Sequence, residues 1–170
     1  MKLLAEISEG TLGLSNQFEQ LGTDYQLRKS ARAILLNQAG EMVVQYLSKY
    51  NFHKLPGGGV EVGESIEETL RREVSEEVGC ACEIIRPIGM TIEYRNESRL
   101  LQLSYCYEAK VVGEVGEPAW DNDEIEAEQG SLWLPPREAL EKIKSDQPNK
   151  ADGYFIQKRE MSFLEEYLRS

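Results

Sequence analysis

A glycine-rich loop followed by a helical repeat constrains the fold more than any other part of the sequence. Three consecutive glycines precede a segment in which apolar residues recur at every fourth position from Ile66 to Val78. That period is typical of an amphipathic helix that buries one stripe of its surface. Glu64 or Ser65 can cap the first turn, and Gly79 can end the last one. The sequence therefore predicts a loop and a helix at the edge of a hydrophobic core.

The flanking segments predict strands in antiparallel pairs, then a long acidic loop, then one more strand and two helices. Apolar runs separated by short polar turns indicate the strands, and a Pro-Pro step and a late amphipathic repeat indicate the helices. The predicted strands are 31–36, 42–47, 82–94, 99–112 and 131–134, and the predicted helices are 135–144 and 154–168.

Composition narrows the class of protein. The chain has 170 residues, of which 41% are hydrophobic, and its formal net charge is −11. This length suits one packed domain, and the negative charge argues against a surface that binds duplex nucleic acid. No segment approaches the roughly 20 apolar residues of a membrane span. Three cysteines, an odd number, argue for reduced thiols. We expect a cytoplasmic protein with no membrane or nucleic-acid-duplex partner.

The acidic residues are concentrated in two segments. Residues 61–77 contain seven acidic and two basic side chains, and residues 114–128 contain seven acidic and no basic ones. These two segments account for the net charge of the whole chain. A run of charge is usually a solvated surface, but a local excess of carboxylates also suits a divalent cation.

Spacing within the first acidic segment supports the cation. Glu73, Glu76 and Glu77 stand at i, i+3 and i+4, so their carboxylates share one face of the predicted helix. Like charges at these spacings repel one another unless a cation or a strong base lies nearby. Arg72 can form a forked contact with one of the carboxylates. Oxygen ligands of this kind suit Mg²⁺ or Mn²⁺, and Mg²⁺ held by carboxylates commonly acts on phosphates.

A zinc site is the weaker alternative. Cys80, Cys82, Cys106 and the single histidine, His53, could supply four ligands. However, the Cys-x-Cys pair lacks the usual spacer of two to four residues, and the other two ligands are scattered along the chain.

The loop and helix together resemble the signature of the Nudix hydrolases, which cleave a diphosphate linkage in a nucleoside diphosphate joined to another group. The pattern is Gly58-x5-Glu64-x7-Arg72-Glu73-Val74-x-Glu76-Glu77-x-Gly79. One departure is Cys80, which stands where the family usually has an aliphatic residue. The resemblance implies an α/β fold of the Nudix type, an α/β/α sandwich around a mixed sheet with a loop-helix-loop motif. The implied core is 28–145 of a single domain 1–170, with an N-terminal extension at 1–27 and a C-terminal helix at 146–170.

The resemblance also implies the metal site. Glu73, Glu76 and Glu77 are expected to bind Mg²⁺ or Mn²⁺ together with the backbone carbonyl of Gly58. Arg72 is expected to orient a carboxylate, while Glu64 is expected to bind metal or hold the loop. The implied reaction is metal-dependent hydrolysis, in which a carboxylate deprotonates the attacking water.

The identity of that base is left open. Glu73 or Glu77 of the helix can serve, and so can one carboxylate of the second acidic segment. Among Glu124, Glu126 and Glu128, we slightly favour Glu124 or Glu128, although a solvated loop without a catalytic part explains the same residues equally well.

The substrate is predicted only by class. Arg32 and Lys54 are candidate phosphate contacts, and Phe52 and Tyr94 are candidate stacking groups for a nucleobase. A small nucleotide is expected, either a nucleoside triphosphate, possibly oxidised, or a nucleoside diphosphate linked to another group. Arg95 occupies the position where a proline accompanies ADP-ribose hydrolysis in the family, which weakens that alternative. The alternative to an enzyme is a domain that binds a nucleotide as a sensor and does not cleave it. A homodimer is the alternative to a monomer.

Overall fold

The computed structural model describes residues 1–14 and 24–170. Its strands are β1 (Leu3–Ser8), β2 (Gln26–Leu36), β3 (Met42–Leu47), β4 (Phe52–Lys54), β5 (Ala81–Arg95), β6 (Leu100–Val112) and β7 (Gln129–Leu134). Its helices are α1 (Ile66–Val78), α2 (Asn122–Glu126), α3 (Pro136–Ser145) and α4 (Ala151–Tyr167). No helix in these described ranges is both long and apolar enough to cross a membrane.

The strands form one mixed sheet in the order β1-β5-β6-β2-β3-β4, and β7 pairs with the other edge of β3. The pairs β1–β5 and β2–β6 are parallel, and the remaining pairs are antiparallel. Both predicted antiparallel pairs are present. The first pair meets only at Leu36 and Met42, because the amides of Ala31 and Ala33 in β2 bond the loop at Gly58 and Pro56.

Helices cover both faces of the sheet. Leu70, Val74 and Val78 of α1 pack on one face with Ala31 and neighbouring apolar residues. Residues of α3 and α4 pack on the other face, in a second cluster. Alternate residues of β2 enter the two clusters, as strand geometry requires. The predicted α/β/α sandwich with a mixed sheet is therefore confirmed.

Capping residues determine where α1 begins and ends. Ser65 is the N-cap, and it forms a reciprocal capping box with Glu68. Gly79 ends the helix in the left-handed conformation, at φ 74°. The loop before α1 runs beside the free part of β2, where the Ala31 amide donates to the Gly58 carbonyl and the Ala33 amide donates to the Pro56 carbonyl. The glycine-rich loop thus behaves as an additional short strand beside β2.

The second acidic segment differs from the predicted loop, because it contains the short helix α2. Asp121 caps this helix and forms a capping box with Glu124. The Ala119 amide donates to the Glu76 carbonyl, and the Trp120 indole donates to the Glu77 carbonyl. The acidic segment is therefore held against the C-terminal half of α1.

Two terminal segments also differ in extent from the expectation. Strand β1, inside the predicted N-terminal extension, joins the sheet beside β5, and residues 15–23 of that extension lie outside the described ranges. The last helix begins at Ala151, three residues before the predicted start. Its residues Phe163 and Leu164 are fully buried against the sheet.

Candidate active site

A cleft of about 580 Å³ opens where the glycine-rich loop meets β2, α1 and the acidic segment. The carboxylates that line it come from the loop before α1, from α1 itself and from the start of α2. They are Glu61, Glu73, Glu76, Glu77, Asp121 and Glu124. Cationic side chains line the same cleft and are supplied by three elements. They are Arg28, Arg32, Lys54 and Arg72.

Glu77 is the most buried carboxylate of α1, and its residue is 2% exposed. It accepts hydrogen bonds from the Lys54 ammonium at 2.7 Å and from the Gly57 amide at 2.5 Å. Burial alone acts to raise the pKa of Glu77, but the Lys54 charge and hydrogen bonds with Glu124 and Lys54 outweigh it, so the pKa lies below its ordinary value. Glu77 is thus a fixed, ionised carboxylate at the base of the cleft.

Arg72 holds the other carboxylates together. Its Nη1 donates to Glu73 Oε1 at 2.9 Å and to Glu76 Oε2 at 3.0 Å. Its Nε and Nη2 donate to the two oxygens of Glu64, at 2.7 and 3.1 Å, and Nη2 also donates to the Gly59 carbonyl. This bidentate geometry fixes the guanidinium between the loop and the helix. Arg72 therefore relieves the repulsion that the sequence spacing creates.

Glu73 and Glu76 differ in environment. The Glu73 side chain is largely buried, whereas the Glu76 side chain is about half exposed. Burial and the neighbouring Glu77 carboxylate raise the pKa of Glu73, although Arg72 acts against them. A divalent cation in the cleft would offset the same repulsion.

Glu64 faces Arg72 and the loop, and it does not line the cleft. Besides Arg72, it accepts from the Thr69 hydroxyl at 2.8 Å and from the Glu61 amide at 3.1 Å. The Arg72 hydrogen bond is the main reason that the pKa of Glu64 falls to about 2. Of the two roles implied by the resemblance, this geometry favours holding the loop.

We predict that Glu64→Gln reduces kcat by less than ~10-fold, because Thr69 and Arg72 can still donate to the amide oxygen. Metal affinity, measured by titration calorimetry with Mn²⁺, is expected to match the parent. Glu67→Gln, an exposed position in the first turn of α1 that does not line the cleft, is the control. A loss of Mn²⁺ affinity in Glu64→Gln alone would restore Glu64 as a metal ligand.

Gly58 lies directly beneath Glu73. A Cβ atom at position 58 would stand 2.2 Å from Glu73 Oε1. Gly57 is equally constrained, since it has φ 132° and a Cβ there would stand 2.1 Å from the Ala31 carbonyl oxygen. The Gly58 carbonyl accepts from the Ala31 amide at 3.0 Å, and its second lone pair is the one that can bind a cation.

Within the second acidic segment, the structure separates three glutamates that the sequence treats as similar. Glu124 lines the cleft, and its Oε2 accepts from the Asp121 amide at 2.9 Å. Glu126 pairs with Lys49 at 2.5 Å, and Glu128 accepts from the Ser48 hydroxyl. Only Glu124 of the three reaches the cleft. Burial, followed by a hydrogen bond with the Glu77 carboxylate, raises the pKa of Glu124 to about 7.

The four predicted substrate contacts divide into two groups. Arg32 and Lys54 line the cleft. Phe52 does not, because its ring is buried in a cluster with Leu47 and is 1% exposed. Tyr94 lies in β5, paired with β1 and β6, and does not line the cleft either. Neither aromatic residue lines the cleft.

Sequence reasoning missed three charged residues of the cleft, Arg28, Glu61 and Asp121. Arg28 lies over Gly59, where a Cβ would be 3.2 Å from its Nη2. The only feature of the sequence that could have identified Arg28 was its position four residues before Arg32, on the same face of the strand. Asp121 could have been found from the Asp-x-x-Glu pattern of a capping box that ends at Glu124.

The zinc alternative finds no support in residues 1–14 and 24–170. That part of the chain contains no group of three His, Cys, Asp or Glu side chains placed to hold one ion. His53 instead contacts Asp146 through Nδ1 at 2.7 Å. The α1 carboxylates are bonded to cationic side chains in this structure, Glu73 to Arg72 and Glu77 to Lys54. Their hard oxygen atoms remain a donor set that fits Mg²⁺ or Mn²⁺.

The fold and the motif define the family. The family model described as NUDIX domain matches residues 26–155, so the chain belongs to the Nudix family. Its helix α1 and glycine-rich loop are the motif that the sequence identified.

Individual relatives are more distant. The RNA pyrophosphohydrolase of Shewanella piezotolerans is 34% identical over 80 residues, which cover 44% of this chain and 45% of that protein. The chain spans less than half the length of the curated relatives it matches. The MutT protein from Methanosarcina mazei Go1 has the same fold, with a TM-score of 0.58 at 23% identity over 87% of this chain and 97% of that one. An ADP-ribose pyrophosphatase from Streptococcus suis gives a TM-score of 0.52 at 19% identity, with coverage of 84% and 92%.

Proposed function

We propose that this protein hydrolyses a diphosphate linkage in a nucleotide with the help of Mg²⁺ or Mn²⁺. The observation that carries the proposal is the convergence of Glu73, Glu76, Glu77 and Glu124 on one cleft that also contains Arg32. Carboxylates suit the cation, and an arginine suits the phosphates. Both are supplied by a chain of the Nudix family, in which divalent metals are in general use.

The cation would be held by the α1 carboxylates Glu73, Glu76 and Glu77, with the Gly58 carbonyl beside them. A divalent cation bound there supplies charge that offsets the negative charge of the phosphates and of the transition state. Arg72 keeps Glu73 and Glu76 in place on one side of this set. Lys54 keeps Glu77 in place on the other.

Glu124 is the residue proposed to accept the proton of the attacking water. It lies in the same cleft as the α1 carboxylates and is next to Glu77. The capping box of α2 fixes one of its oxygens on the Asp121 amide, so its other oxygen is directed by the fold. Water attack on phosphorus then breaks the anhydride bond, and the proton passes to Glu124.

The names of the relatives agree on the type of bond. One matched protein is named an RNA pyrophosphohydrolase and another an ADP-ribose pyrophosphatase, and both names describe cleavage of a pyrophosphate linkage. For this chain we propose a nucleoside triphosphate, or a nucleoside diphosphate linked to another group. Arg95, in place of the proline expected for ADP-ribose hydrolysis, argues against ADP-ribose as the preferred substrate.

The test is turnover of purified protein on a panel of nucleoside triphosphates, oxidised triphosphates, ADP-ribose and nucleotide sugars. Reactions contain Mg²⁺, Mn²⁺ or EDTA, and products are identified by chromatography. We expect metal-dependent cleavage at a diphosphate linkage and none in EDTA. Binding of these nucleotides without any turnover would instead identify a non-catalytic sensor, and the proposal would be wrong.

We predict that Glu124→Gln lowers kcat by ~10²–10⁴-fold and leaves KM little changed, since the amide cannot accept a proton. Glu126→Gln and Glu128→Gln are the matched controls from the same segment, and both should retain parental kcat because their side chains face Lys49 and Ser48. Parental kcat in Glu124→Gln would return the role of base to Glu73 or Glu77.

A further inference from the structure

Two of the four cationic side chains of the cleft, Arg28 and Arg32, differ from the other two in their pairing. Arg28 and Arg32 stand four residues apart on β2. Because side chains alternate between the two faces of a strand, both lie on the same face. The other two cations of the cleft, Lys54 and Arg72, are paired with its carboxylates. Within the described ranges, neither Arg28 nor Arg32 forms an ion pair. The β2 side of the cleft thus carries unpaired positive charge.

Arg32 is the more informative of the two, because its residue is only 7% exposed. Its Nε and Nη1 atoms are buried, and the structure gives them no hydrogen-bond partner. Leaving buried donors of a charged group unpaired is costly for a folded protein. Burial lowers the pKa of Arg32 to about 10, so the guanidinium is still protonated at neutral pH.

Neighbouring charges do not explain why Arg32 is there. The charges that act most strongly on Arg32 are Arg159 and Glu160 of α4, followed by Glu77. Arg159 and Glu160 pair with each other at 2.6 Å, and Glu77 pairs with Lys54. Arg159 also pairs with Glu93 at 3.1 Å. A purely structural arginine would have one of these carboxylates as its partner. Arg32 is instead one of the residues that line the cleft.

We propose that Arg32 and Arg28 bind a phosphoryl group beyond the linkage that is cleaved, and that the cleft therefore prefers nucleoside triphosphates to nucleoside diphosphates linked to a sugar. The planar fork of a guanidinium fits phosphate oxygens. A third phosphoryl group supplies anionic oxygens to these donors, whereas a sugar supplies only neutral hydroxyls. This inference rests on the proposed function and specifies its substrate class.

Binding is measured by titration calorimetry in Mg²⁺ with methylene-blocked di- and triphosphates of adenosine and guanosine. The parent is expected to bind the triphosphate at least ~10-fold more tightly than the diphosphate, which corresponds to one charge-assisted contact. Arg32→Met is expected to remove most of this difference, and Arg28→Met to reduce it. Arg32→Lys should retain part of it, because the charge remains and the fork is lost.

Lys29→Met is the matched control, because it removes the same charge from the opposite face of the same strand and Lys29 does not line the cleft. It should preserve the parental difference. Thermal unfolding separates a binding role from a structural one: Arg32→Met should unfold no earlier than the parent, since it removes an unpaired buried charge.

Three results with Arg32→Met would overturn the inference. They are an unchanged preference for the triphosphate over the diphosphate, an equal loss of affinity for both nucleotides, and a marked loss of thermal stability. Turnover of ADP-ribose by a parent that does not cleave triphosphates would also overturn it, while leaving the proposed function standing. Absence of metal-dependent turnover on every nucleotide would reject the proposed function itself.

Discussion

Glu77→Gln is expected to lower kcat by ~10³-fold or more with the best substrate, the largest effect of any single carboxylate on α1. Glu77 is held on both sides, by Lys54 and by the Gly57 amide, so a cation in the cleft meets it in one fixed position. Glu76 is half exposed and is held by Arg72 alone. We expect Glu76→Gln to lower kcat by ~10²-fold. Steady-state kinetics in Mg²⁺ measures both.

Stability gives a second readout for the same variant. From the sequence alone, removal of one repelling carboxylate should leave the metal-free protein as stable or slightly more so. In the structure Glu77 is the partner of a mostly buried Lys54, so Glu77→Gln should lower the free energy of unfolding by ~1–2 kcal/mol. Glu67→Gln, an exposed position of the same helix, is the control and should change neither kcat nor stability. Parental turnover in Glu77→Gln would contradict the assignment of the site.

Gly58→Ala is expected to reduce kcat by ~10²-fold or more, although it alters no charged group. The added Cβ would lie 2.2 Å from Glu73 Oε1, and so either the Glu73 carboxylate or the loop must move. Gly58→Val should abolish activity, because its side chain is larger and β-branched. The measurement is kcat together with Mn²⁺ affinity, and both should fall.

Gly130→Ala is the matched control for this loop substitution. A Cβ at Gly130 has no heavy atom within 4 Å, and the residue lies in β7 without a left-handed backbone. It should preserve activity and thermal stability. Normal metal affinity and turnover in Gly58→Ala would show that the loop does not need to approach Glu73 this closely.

Local patterns in the sequence were enough to predict the central motif. A period of apolar residues and two short signals predicted α1, with a cap at Glu64 or Ser65 and a stop at Gly79, and the structure identifies Ser65 as the cap. The antiparallel pair β5–β6 follows from two apolar runs and a polar turn. Each of these features depends on residues that are close together in the chain.

Features that depend on distant residues were not predictable in the same way. Lys54 and Glu77 are far apart in sequence, and only the docking of α1 on the sheet brings them together. Phe52 was expected to stack on a base, but the packing of Leu47 around it buries the ring. The short helix α2 has too few residues for an apolar period, so only its capping pattern marks it. Glu124 could therefore be separated from its acidic neighbours only in the folded structure.

The most direct test of the account is to measure Mn²⁺ binding and nucleotide turnover on the same samples of parent protein, Glu73→Gln and Glu77→Gln. Electron paramagnetic resonance reports free Mn²⁺, and product release reports turnover. The account predicts that the parent binds Mn²⁺ and cleaves a nucleotide, and that both variants lose affinity by ~10-fold or more together with turnover. Parental Mn²⁺ affinity and turnover in both variants would contradict it.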